Sequence, residues 1–307
     1  MKRRNEIMEF TRWTDDELEY LKANYQNKSY REIGEYLGRK EQAIRSKLHF
    51  LGLKKGIHHC NYDYFETIDT EDKAYWLGFI YADGNINKAK NTLTINLQGR
   101  DSNHLAMLNK CIEGNFAVKI FDAKKNEQTY PMCQILVYST KMANDLIEKG
   151  VIPHKTDKIT FPALPQHLIR HFIRGYFDGD GSICERKHKK GLSDLACSFS
   201  CGNKSFLESL RTVLFQNGIK SYLVKDKRGE KFSLSLAGLQ NPDIFLHYIY
   251  DGANIYLNRK YLRKEELYKH LDVEQRLLRQ SEKAGFINLS EKESGNPEME
   301  IRVEGCV

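Results

Sequence analysis

One ten-residue pattern occurs twice in the chain and constrains the fold more than any other feature. Tyr75–Gly84 reads YWLGFIYADG and Phe172–Gly181 reads FIRGYFDGDG; they align without gaps, and Asp83 and Asp180 stand 97 residues apart. A basic stretch and a segment of alternating polar and apolar residues follow each copy. Internal similarity at a domain-sized spacing indicates two copies of one unit, related by an approximate twofold axis.

Each copy is predicted to form a helix with small residues four positions apart on one face. These residues are Gly78 and Ala82 in the first copy and Gly175 and Gly179 in the second. Small residues at i and i+4 let two helix backbones approach closely, so the two copies can pack against each other along the pseudo-twofold axis. The C-terminal ends of the two helices would then meet.

An acidic residue closes each predicted helix. A carboxylate there faces the negative end of the helix dipole, which costs roughly a few tenths of a kcal/mol. Asp83 and Asp180 occupy this position in both copies, whereas a single Asp-Gly pair would indicate only a turn that ends a helix. Two converging carboxylates beside DNA phosphates can hold Mg²⁺ ions that activate water for phosphodiester cleavage. The matched pair therefore favours a metal-dependent site.

The charge distribution suits a polyanionic partner. The 307 residues carry a formal net charge of +7; residues 281–307 hold three basic and six acidic side chains, or −3, so residues 1–280 carry +10. Lysine and arginine that neutralise phosphates release condensed counterions, which favours nucleic acid binding. Solvated surface lysines would give the same composition, so charge alone leaves both interpretations open.

Neither a membrane span nor a secretory signal is evident. No apolar run reaches the length of a membrane span, and the basic N-terminal segment lacks an apolar stretch. The seven cysteines include no C-x-x-C pair, which favours reduced thiols, and the alternation of Cys197, Phe199 and Cys201 predicts the inner face of a strand. We expect an intracellular protein without a membrane partner, in the cytoplasm, at the nucleoid or in an organelle.

Residues 13–53 are predicted to form three short helices. Thr14 can cap the first helix, with Glu17 at the capping-box position three residues later. The second helix is predicted to begin at or next to Ser29 and to end at Gly38, and the third begins at about Glu41.

The third helix has an outward polar face. Its outward residues are predicted to be Gln42, Arg45, Ser46 and His49. A tight turn followed by such a helix is the arrangement that places a helix in the major groove, although a small protein-interaction domain would also fit. Segments 13–17, 29–33 and 43–48 resemble the Myb/SANT-like helix-turn-helix modules, which implies that these four residues contact DNA.

Residues from about 61 to 270 resemble the LAGLIDADG homing endonucleases, in their single-chain form with two motifs. The resemblance rests on the two repeated segments, on Gly150–Lys155 and on Phe161-Pro162. It implies that the acids at the eighth motif position bind metal. These acids are Asp83 and Asp180, and the predicted metal site also includes Gly84 and Gly181. The sixth position varies and carries Tyr81 and Asp178 here; Asp178 is predicted to pack the helix or to support the metal ligands.

The resemblance also implies two kinds of auxiliary catalytic residue. A solvent-organising Gln or Lys near the end of the second strand falls on Gln98 in the first half and on Ser200 in the second. A basic residue just past the fourth strand falls on Lys141, with Gln240 as its counterpart. Substitutes for the second half could come from Lys204 or Lys225. This departure predicts unequal competence of the two strand-cutting sites.

The resemblance further implies saddle-shaped sheets that lie along the major groove and read bases with polar strand residues. The alternation in Thr92–Gln98 and Lys231–Leu236 fits antiparallel strands with one buried and one polar face. The predicted DNA-contacting residues of this region are Lys88, Lys90, Thr92, Thr94, Asn96, Lys187, Lys189, Lys190, Ser198, Ser200, Lys225, Lys227, Arg228, Ser233 and Ser235.

Together these features predict an α+β protein. A helix-turn-helix module over residues 1–58 precedes two pseudosymmetric αββαββα units over residues 59–280, as repeats of about 61–150 and 151–270. A polar tail over residues 281–307, broken by Gly and Pro, is predicted to be disordered.

The predicted function is Mg²⁺-dependent, site-specific cleavage of double-stranded DNA by a monomer, as in intron homing. Alternatives on the same scaffold are a non-cleaving DNA-binding regulator and an intron RNA-splicing maturase. A transcription factor carried by residues 13–53 alone is a further alternative. We do not expect an intein, because the chain opens at Met1 and lacks a terminal His-Asn pair.

Overall fold

The computed structural model describes residues 12–25, 28–53, 58–125, 128–152, 159–187, 193–225, 231–238 and 240–283. The chain divides into two compact units, Met1–His58 and His59–Val307. The predictions made for Lys189, Lys190, Lys227, Arg228 and residues 284–307 lie outside the described residues. No helix in the described ranges is both long and apolar enough to cross a membrane.

The described residues of the first unit form three helices, which confirms the expectation from the sequence. They are α1 (Asp15–Asn24), α2 (Tyr30–Leu37) and α3 (Glu41–Phe50). Thr14 and Glu17 form a capping box at the start of α1, and Ser29 and Glu32 form one at the start of α2. Gly38 ends α2 with φ 63°, in the left-handed region that favours glycine. The buried core of this unit consists of Leu21, Ile33, Ile44 and Leu48.

The second unit repeats one order of elements, which confirms the predicted α+β architecture with two αββαββα halves. The first half comprises α4 (Glu71–Asp83), β1 (Gly84–Asn87), β2 (Thr92–Gln98), α5 (Ser102–Cys111), β3 (Lys119–Lys125), β4 (Gln128–Tyr138) and α6 (Thr140–Glu148), with a short 3-10 helix over Gly99–Asp101. The second half comprises α7 (Gln166–Asp180), β5 (Gly181–Lys187), β6 (Ser193–Cys201), α8 (Lys204–Gln216), β7 (Tyr222–Lys225), β8 (Phe232–Leu236) and α9 (Asn241–Tyr250). The long helix α10 (Asn258–Lys283) follows.

The strands form two antiparallel four-stranded sheets with the same topology. Their orders are β1-β2-β4-β3 and β5-β6-β8-β7. One face of each sheet is buried against the helices, as Ile95 and Ile135 show in the first sheet and Phe199 and Leu234 in the second. Cys197 and Cys201 lie on that buried face beside Phe199, as the alternation predicts. The opposite face of each sheet carries the polar residues, which we call the open face.

Helices α4 and α7 lie at the centre of this unit and contact each other backbone to backbone. A Cβ added at Gly78 would stand 2.0 Å from the carbonyl oxygen of Phe172, and one at Gly175 would stand 1.9 Å from that of Tyr75. Such distances leave no room for a side chain on either glycine. The predicted packing of the two repeated helices along their small residues is therefore confirmed.

Candidate functional site

The two motif acids lie at the same end of the central helix pair. Asp83 is the last residue of α4 and Asp180 the last residue of α7. A Cβ added at Gly179 would stand 2.2 Å from the Cβ of Ala82 and 3.2 Å from the Oδ2 of Asp83. Because Asp180 follows Gly179 directly, the helix crossing brings both acids to one place. The Asp83 side chain is half-buried there, and Asp180 is exposed.

Lys260 of α10 reaches this helix end, although the sequence analysis did not single it out. Its Nζ donates hydrogen bonds to the carbonyl oxygens of Phe177, Gly179 and Gly181. Lys260 is only 7% exposed, and burial lowers the pKa of its ammonium group to about 8, against the opposing effect of nearby carboxylates. No local pattern marks this lysine, because its partners lie about eighty positions earlier in the chain.

Asp178 is fully buried two residues before Asp180, the motif acid of its own helix. Its Oδ1 accepts a hydrogen bond from the Tyr250 hydroxyl at 2.5 Å, and its Oδ2 accepts from the Tyr75 hydroxyl at 2.8 Å and from the Leu257 amide at 2.7 Å. Burial raises the pKa of the Asp178 carboxyl, and the positive charge of Lys260 opposes that shift. Asp178 therefore joins α7, α4 and the segment before α10, which agrees with the packing role predicted for it.

Two carboxylates at a helix end are a suitable donor set for a hard divalent cation. Mg²⁺ prefers oxygen ligands and is often held by one or two carboxylates while it keeps several waters. Asp83 and Asp180 supply such a pair, and neither is buried away from solvent. Within the part of the chain that the structure describes, no group of three or more His, Cys, Asp or Glu side chains could hold a metal ion. Asp83 and Asp180 are the candidate donor pair for a divalent cation.

The assignment of Gly181 as a metal ligand stays a prediction. In the structure the Gly181 carbonyl oxygen accepts a hydrogen bond from the Lys260 ammonium group. Gly84, its counterpart, follows Asp83 as the C-cap of α4.

The register of the strands corrects the predicted equivalence of Gln98 and Ser200. Gly84 pairs with Ile95, and Gly181 pairs with Phe199. Counting from these pairs, Ser200 corresponds to Asn96, and the counterpart of Gln98 is Gly202. Gln98 is exposed at the end of β2, three residues past Ile95, which pairs with the residue after the motif acid Asp83. Glycine has no side chain to organise solvent, so the asymmetry between the halves is larger than the sequence predicted.

Lys141 lies in an ion-pair cluster rather than in the predicted catalytic surroundings. Its Nζ is 3.4 Å from Asp63 Oδ1, 3.0 Å from Glu66 Oε2 and 3.1 Å from Asp145 Oδ2. Hydrogen bonds to these carboxylates raise the pKa of Lys141, with Glu66 as the largest cause. None of the three is a motif acid, and an ammonium group shared among them is poorly placed to stabilise charge on a DNA phosphate.

The second-half alternatives to Lys141 lie in three different elements. Gln240 is the N-cap residue of α9. The Nζ of Lys204, at the start of α8, is 3.0 Å from Glu208 Oε1. Lys225 is exposed at the end of the edge strand β7. The substitution of Lys204 or Lys225 for Lys141 in the second half therefore stays a prediction.

Most of the predicted base-reading residues lie on the open faces of the sheets. Asn96 and Ser200 are exposed, and Thr94 and Ser198 are half-buried. Thr92 is the exception: it is 3% exposed, so its hydroxyl is not available to DNA. Ser233 and Ser235 are half-buried on β8, and the lysines that are exposed at the rims are Lys88, Lys90, Lys187 and Lys225.

The outward row of α3 is exposed as the helical spacing predicts. Its members are Gln42, Arg45, Ser46 and His49. Arg45 contacts its own unit, since its guanidinium lies 3.0 Å from Glu41 Oε1 and 5.4 Å from the centre of the Tyr30 ring. These contacts leave the arginine at the surface, where the side chain is 59% exposed.

Comparisons with known proteins identify one domain in the second unit. Residues 167–264 match the family model described as a LAGLIDADG-like domain. This segment starts in α7, includes Asp180 and ends in α10, so it contains the second motif and Lys260. The part of the chain before it is outside that match.

Curated relatives match only part of their own length. The chain is 27% identical over 240 residues to the tRNA-splicing ligase RtcB of Pyrococcus furiosus, which covers 66% of this chain and 24% of the ligase. It is 31% identical over 159 residues to the replication factor C small subunit of Methanocaldococcus jannaschii, which covers 50% of this chain and 8% of that subunit. The chain thus spans a quarter or less of the length of these relatives.

Solved structures of related shape have low sequence identity. Full-length DUF199/WhiA from Thermatoga maritima superposes with a TM-score of 0.46 and 17% identity, covering 73% of this chain and 71% of that one. The homing endonuclease I-WcaI bound to its DNA recognition sequence gives a TM-score of 0.45 and 13% identity, covering 61% of this chain and 85% of that one.

Proposed function

We propose that this chain is a site-specific endonuclease that cuts both strands of duplex DNA with a divalent metal, Mg²⁺ in the cell. The observation that carries the proposal is the convergence of Asp83 and Asp180, which the glycine contacts of α4 and α7 bring to one end of the helix pair. A single chain then supplies both acids, so it acts as a monomer inside the cell. One acid from each half gives the two-centred arrangement that double-strand cutting requires.

The residues of this chain have distinct parts in the proposed reaction. Asp83 and Asp180 hold the metal, which when bound lowers the pKa of water and neutralises charge on the phosphate. The open faces lie along the major groove, where Asn96 and its neighbours contact base edges. Exposed rim lysines such as Lys88 and Lys187 contact phosphates, which positions the duplex without reading its sequence.

The first unit is proposed to bind DNA next to the cut site. Its exposed row on α3 has the polar and basic character of a helix that enters the major groove. A tethered module of this kind raises the local concentration of the second unit at the target and extends the recognised sequence. The cleavage chemistry stays in the second unit.

The curated relatives support the inference that this chain has an activity separate from the activities in their names. A tRNA-splicing ligase and a replication factor subunit have unlike activities, yet stretches of both resemble this chain. The LAGLIDADG-like match over residues 167–264 contains the second motif acid, and it supports the proposal through the resemblance of both motifs to the homing endonucleases.

The decisive experiment is cleavage of the protein's own genomic locus joined across the insertion point. Purified wild type is expected to linearise a plasmid with this sequence in Mg²⁺ or Mn²⁺ and to leave it intact in EDTA. Asp83→Asn and Asp180→Asn should each abolish cutting of at least one strand while DNA affinity stays within about tenfold, because neither side chain is needed for groove contacts. Asp63→Asn is the matched control, because Asp63 pairs with Lys141 away from the motif acids.

Other results of these experiments would assign a different activity to this chain. Tight, specific DNA binding without cutting in any divalent metal would indicate a non-cleaving regulator. Specific binding of intron RNA with faster splicing would indicate a maturase. Full double-strand cutting by the Asp83→Asn/Asp180→Asn double variant would remove both acids from the mechanism.

A further inference from the structure

The backbone on both sides of Asp180 is held by one ammonium group. Lys260 Nζ donates to the carbonyl oxygen of Gly179, which precedes Asp180, and to that of Gly181, which follows it. A third hydrogen bond goes to Phe177, in the last turn of α7. The position of the Asp180 carboxylate therefore depends on a side chain from another helix.

These contacts meet a physical requirement of the helix end. The last carbonyl oxygens of a helix lack partners within the helix and carry the negative end of its dipole. An aspartate at that end adds a further negative charge, and α7 has no basic residue of its own in its last turn. Lys260 supplies the missing cation from a buried position; it donates to the carbonyl oxygen of Gly179 in the last turn and to that of Phe177, which also accepts from the Gly181 amide. The unfavourable placement of Asp180 is thus offset by a partner distant in sequence.

The residues next to Lys260 attach the start of α10 to both halves of the unit. The Leu257 amide donates to Asp178 Oδ2 at 2.7 Å, and Arg259 Nε donates to Asp101 Oδ2 at 2.9 Å. Asp101 is in the first half, in the 3-10 helix that follows Gln98 at the end of β2. The segment from Leu257 to Lys260 therefore binds both the second motif helix and the 3-10 helix that follows β2 in the first half.

We propose that Lys260 is a positioning residue that holds Asp180 where it can share a metal with Asp83, and that Leu257–Lys260 locks the two halves around this centre. The inference rests on the proposed function, because the metal belongs to that proposal. It also assigns α10, which lies beyond the two repeats, a part in assembling the site.

The test compares Lys260→Met with Lys264→Met in the full chain. Both lysines are buried, at 7% and 8% exposure, and they are one turn apart on α10. The Nζ of Lys264 instead lies 4.5 Å from the centre of the Tyr261 ring and 3.0 Å from Glu265 Oε1. Methionine keeps the length of either side chain and removes its charge and hydrogen bonds, so Lys264→Met controls for the loss of a buried lysine in general.

Two measurements follow the position of Asp180. Hydrogen exchange of the Gly181 amide, which donates to the Phe177 carbonyl, reports on the helix end without metal or DNA. Mn²⁺ titration by electron paramagnetic resonance reports on the metal site, with Asp83→Asn as the reference for its loss. Lys260→Met should speed Gly181 exchange about tenfold and weaken Mn²⁺ binding about tenfold, the effect usual for a residue that orients a metal ligand. Lys264→Met should change neither.

The outcomes separate this inference from the proposed function. Unchanged exchange at Gly181 in folded Lys260→Met, or an equal change in Lys264→Met, would reject the positioning role. If Lys260→Met does not fold, Lys260→Gln keeps one donor; a failure of both to fold would make Lys260 a general stabiliser and also reject it. Faster exchange in Lys260→Met, with wild type that neither binds Mn²⁺ through Asp83 nor cuts DNA, would uphold the positioning of Asp180 by Lys260 but reject both the shared metal and the endonuclease proposal.

Discussion

Gly175 lies so close to Tyr75 on the opposite helix that a Cβ on the glycine would stand 1.9 Å from the tyrosine's carbonyl oxygen. Gly78 makes the matching contact with Phe172, at 2.0 Å, so the pseudo-twofold axis passes between the two contacts. Both obstacles are backbone atoms, which cannot move aside as a flexible side chain can. The spacing of α4 and α7, and with it the meeting of their acidic ends, depends on these two glycines.

Gly175→Ala is expected to destabilise the protein and to abolish DNA cleavage. The added methyl must push α4 and α7 apart, and overpacking in a close-packed interior costs about 1–3 kcal/mol or more. Urea denaturation monitored by circular dichroism measures the loss, and plasmid linearisation measures the activity. Wild-type stability and cutting in this variant would show that the helix contact is not required.

A compensating pair of substitutions serves as the control for this contact. At Gly179 the obstacle is the Ala82 methyl, because a Cβ added there would stand 2.2 Å from the Ala82 Cβ. Gly179→Ala alone should therefore destabilise the protein, and Gly179→Ala/Ala82→Gly should recover most of the loss because one methyl replaces another. No such partner exchange can rescue Gly175→Ala, whose obstacle is the main chain. Equal behaviour of the two sites would contradict this distinction.

The stability of the first unit is expected to fall in acid because of Glu17. Glu17 Oε1 is 2.7 Å from Arg39 Nε, and this pairing is the largest cause that lowers the Glu17 pKa from 4.5 to about 2. The unfolded chain takes up the proton first as the pH falls. The stabilising contribution of Glu17 is therefore complete above about pH 5 and is lost as the pH falls towards 2.

Trp13 fluorescence measures this effect, because the Arg39 guanidinium lies 4.2 Å from the centre of the Trp13 ring. The chain has two tryptophans, so the experiment uses a Trp76→Phe background. Urea midpoints should decline between pH 5 and pH 2 and lose most of that slope in Glu17→Gln. Glu35→Gln is the control: its partner Arg31 is 80% exposed, and such surface pairs contribute little. The same slope in Glu17→Gln as in wild type would rule out Glu17 as the source.

Local sequence rules were sufficient for the parts of the fold that depend on neighbours in the chain. The caps at Thr14 and Ser29 and the turn at Gly38 each follow from residues within one helical turn. The close approach of α4 and α7 was also predictable, because glycine or alanine at i and i+4 leaves space for a neighbouring helix on that face. Since the motif occurs twice, the sequence indicated that each motif helix would pack into the space left by the other.

Features that depend on distant partners were not accessible from the sequence. The match of Ser200 to Gln98 was wrong because the second hairpin is longer: Gly84 pairs 11 positions ahead with Ile95, whereas Gly181 pairs 18 positions ahead with Phe199. Lys141 was assigned by its place after β4, but its ion partners Asp63 and Glu66 precede α4. Lys260 belongs to the same class, since only the folded chain brings α10 to the end of α7.

Deleting residues 1–58 is expected to weaken DNA binding and to shorten the footprint while cutting persists at higher protein concentration. The division of the chain at His58 and His59 places the motif acids in the other unit. Loss of a tethered module lowers effective concentration at the target without removing the chemistry. DNase I footprinting and cleavage titrations measure the two effects. A matched variant, Arg45→Ala/His49→Ala, should shorten the footprint in the same place; an unchanged footprint in both would show that α3 does not contact DNA.

The two open faces differ in the length of their side chains, which predicts unequal reading of the two half-sites. Matched positions carry Asn96 and Gln134 in the first sheet but Ser200 and Ser233 in the second. Asparagine and glutamine can contact adenine through a donor and an acceptor together, whereas serine bonds to several bases, and each two-bond contact is worth about 1–3 kcal/mol of discrimination. The half-site under the first sheet should therefore tolerate fewer base changes.

Asn96 and Gln134 should act as one reading unit. Gln134 Nε2 donates to Asn96 Oδ1 at 2.7 Å, so the pair can still offer the Asn96 amide nitrogen and the Gln134 amide oxygen to a base. The test measures cleavage or binding of a library of DNA targets that contains every single-base change. At one position the wild type should prefer one base pair, expected to be A·T, and Asn96→Ala and Gln134→Ala should each lose that preference. Because either substitution breaks the unit, the double variant should lose little more than each single one. Ser200→Ala and Ser233→Ala are the matched controls, and they should leave the base preferences at the half-site under the second sheet nearly unchanged. Equal tolerance of both half-sites, or additive losses at positions 96 and 134, would contradict reading by a joined amide pair.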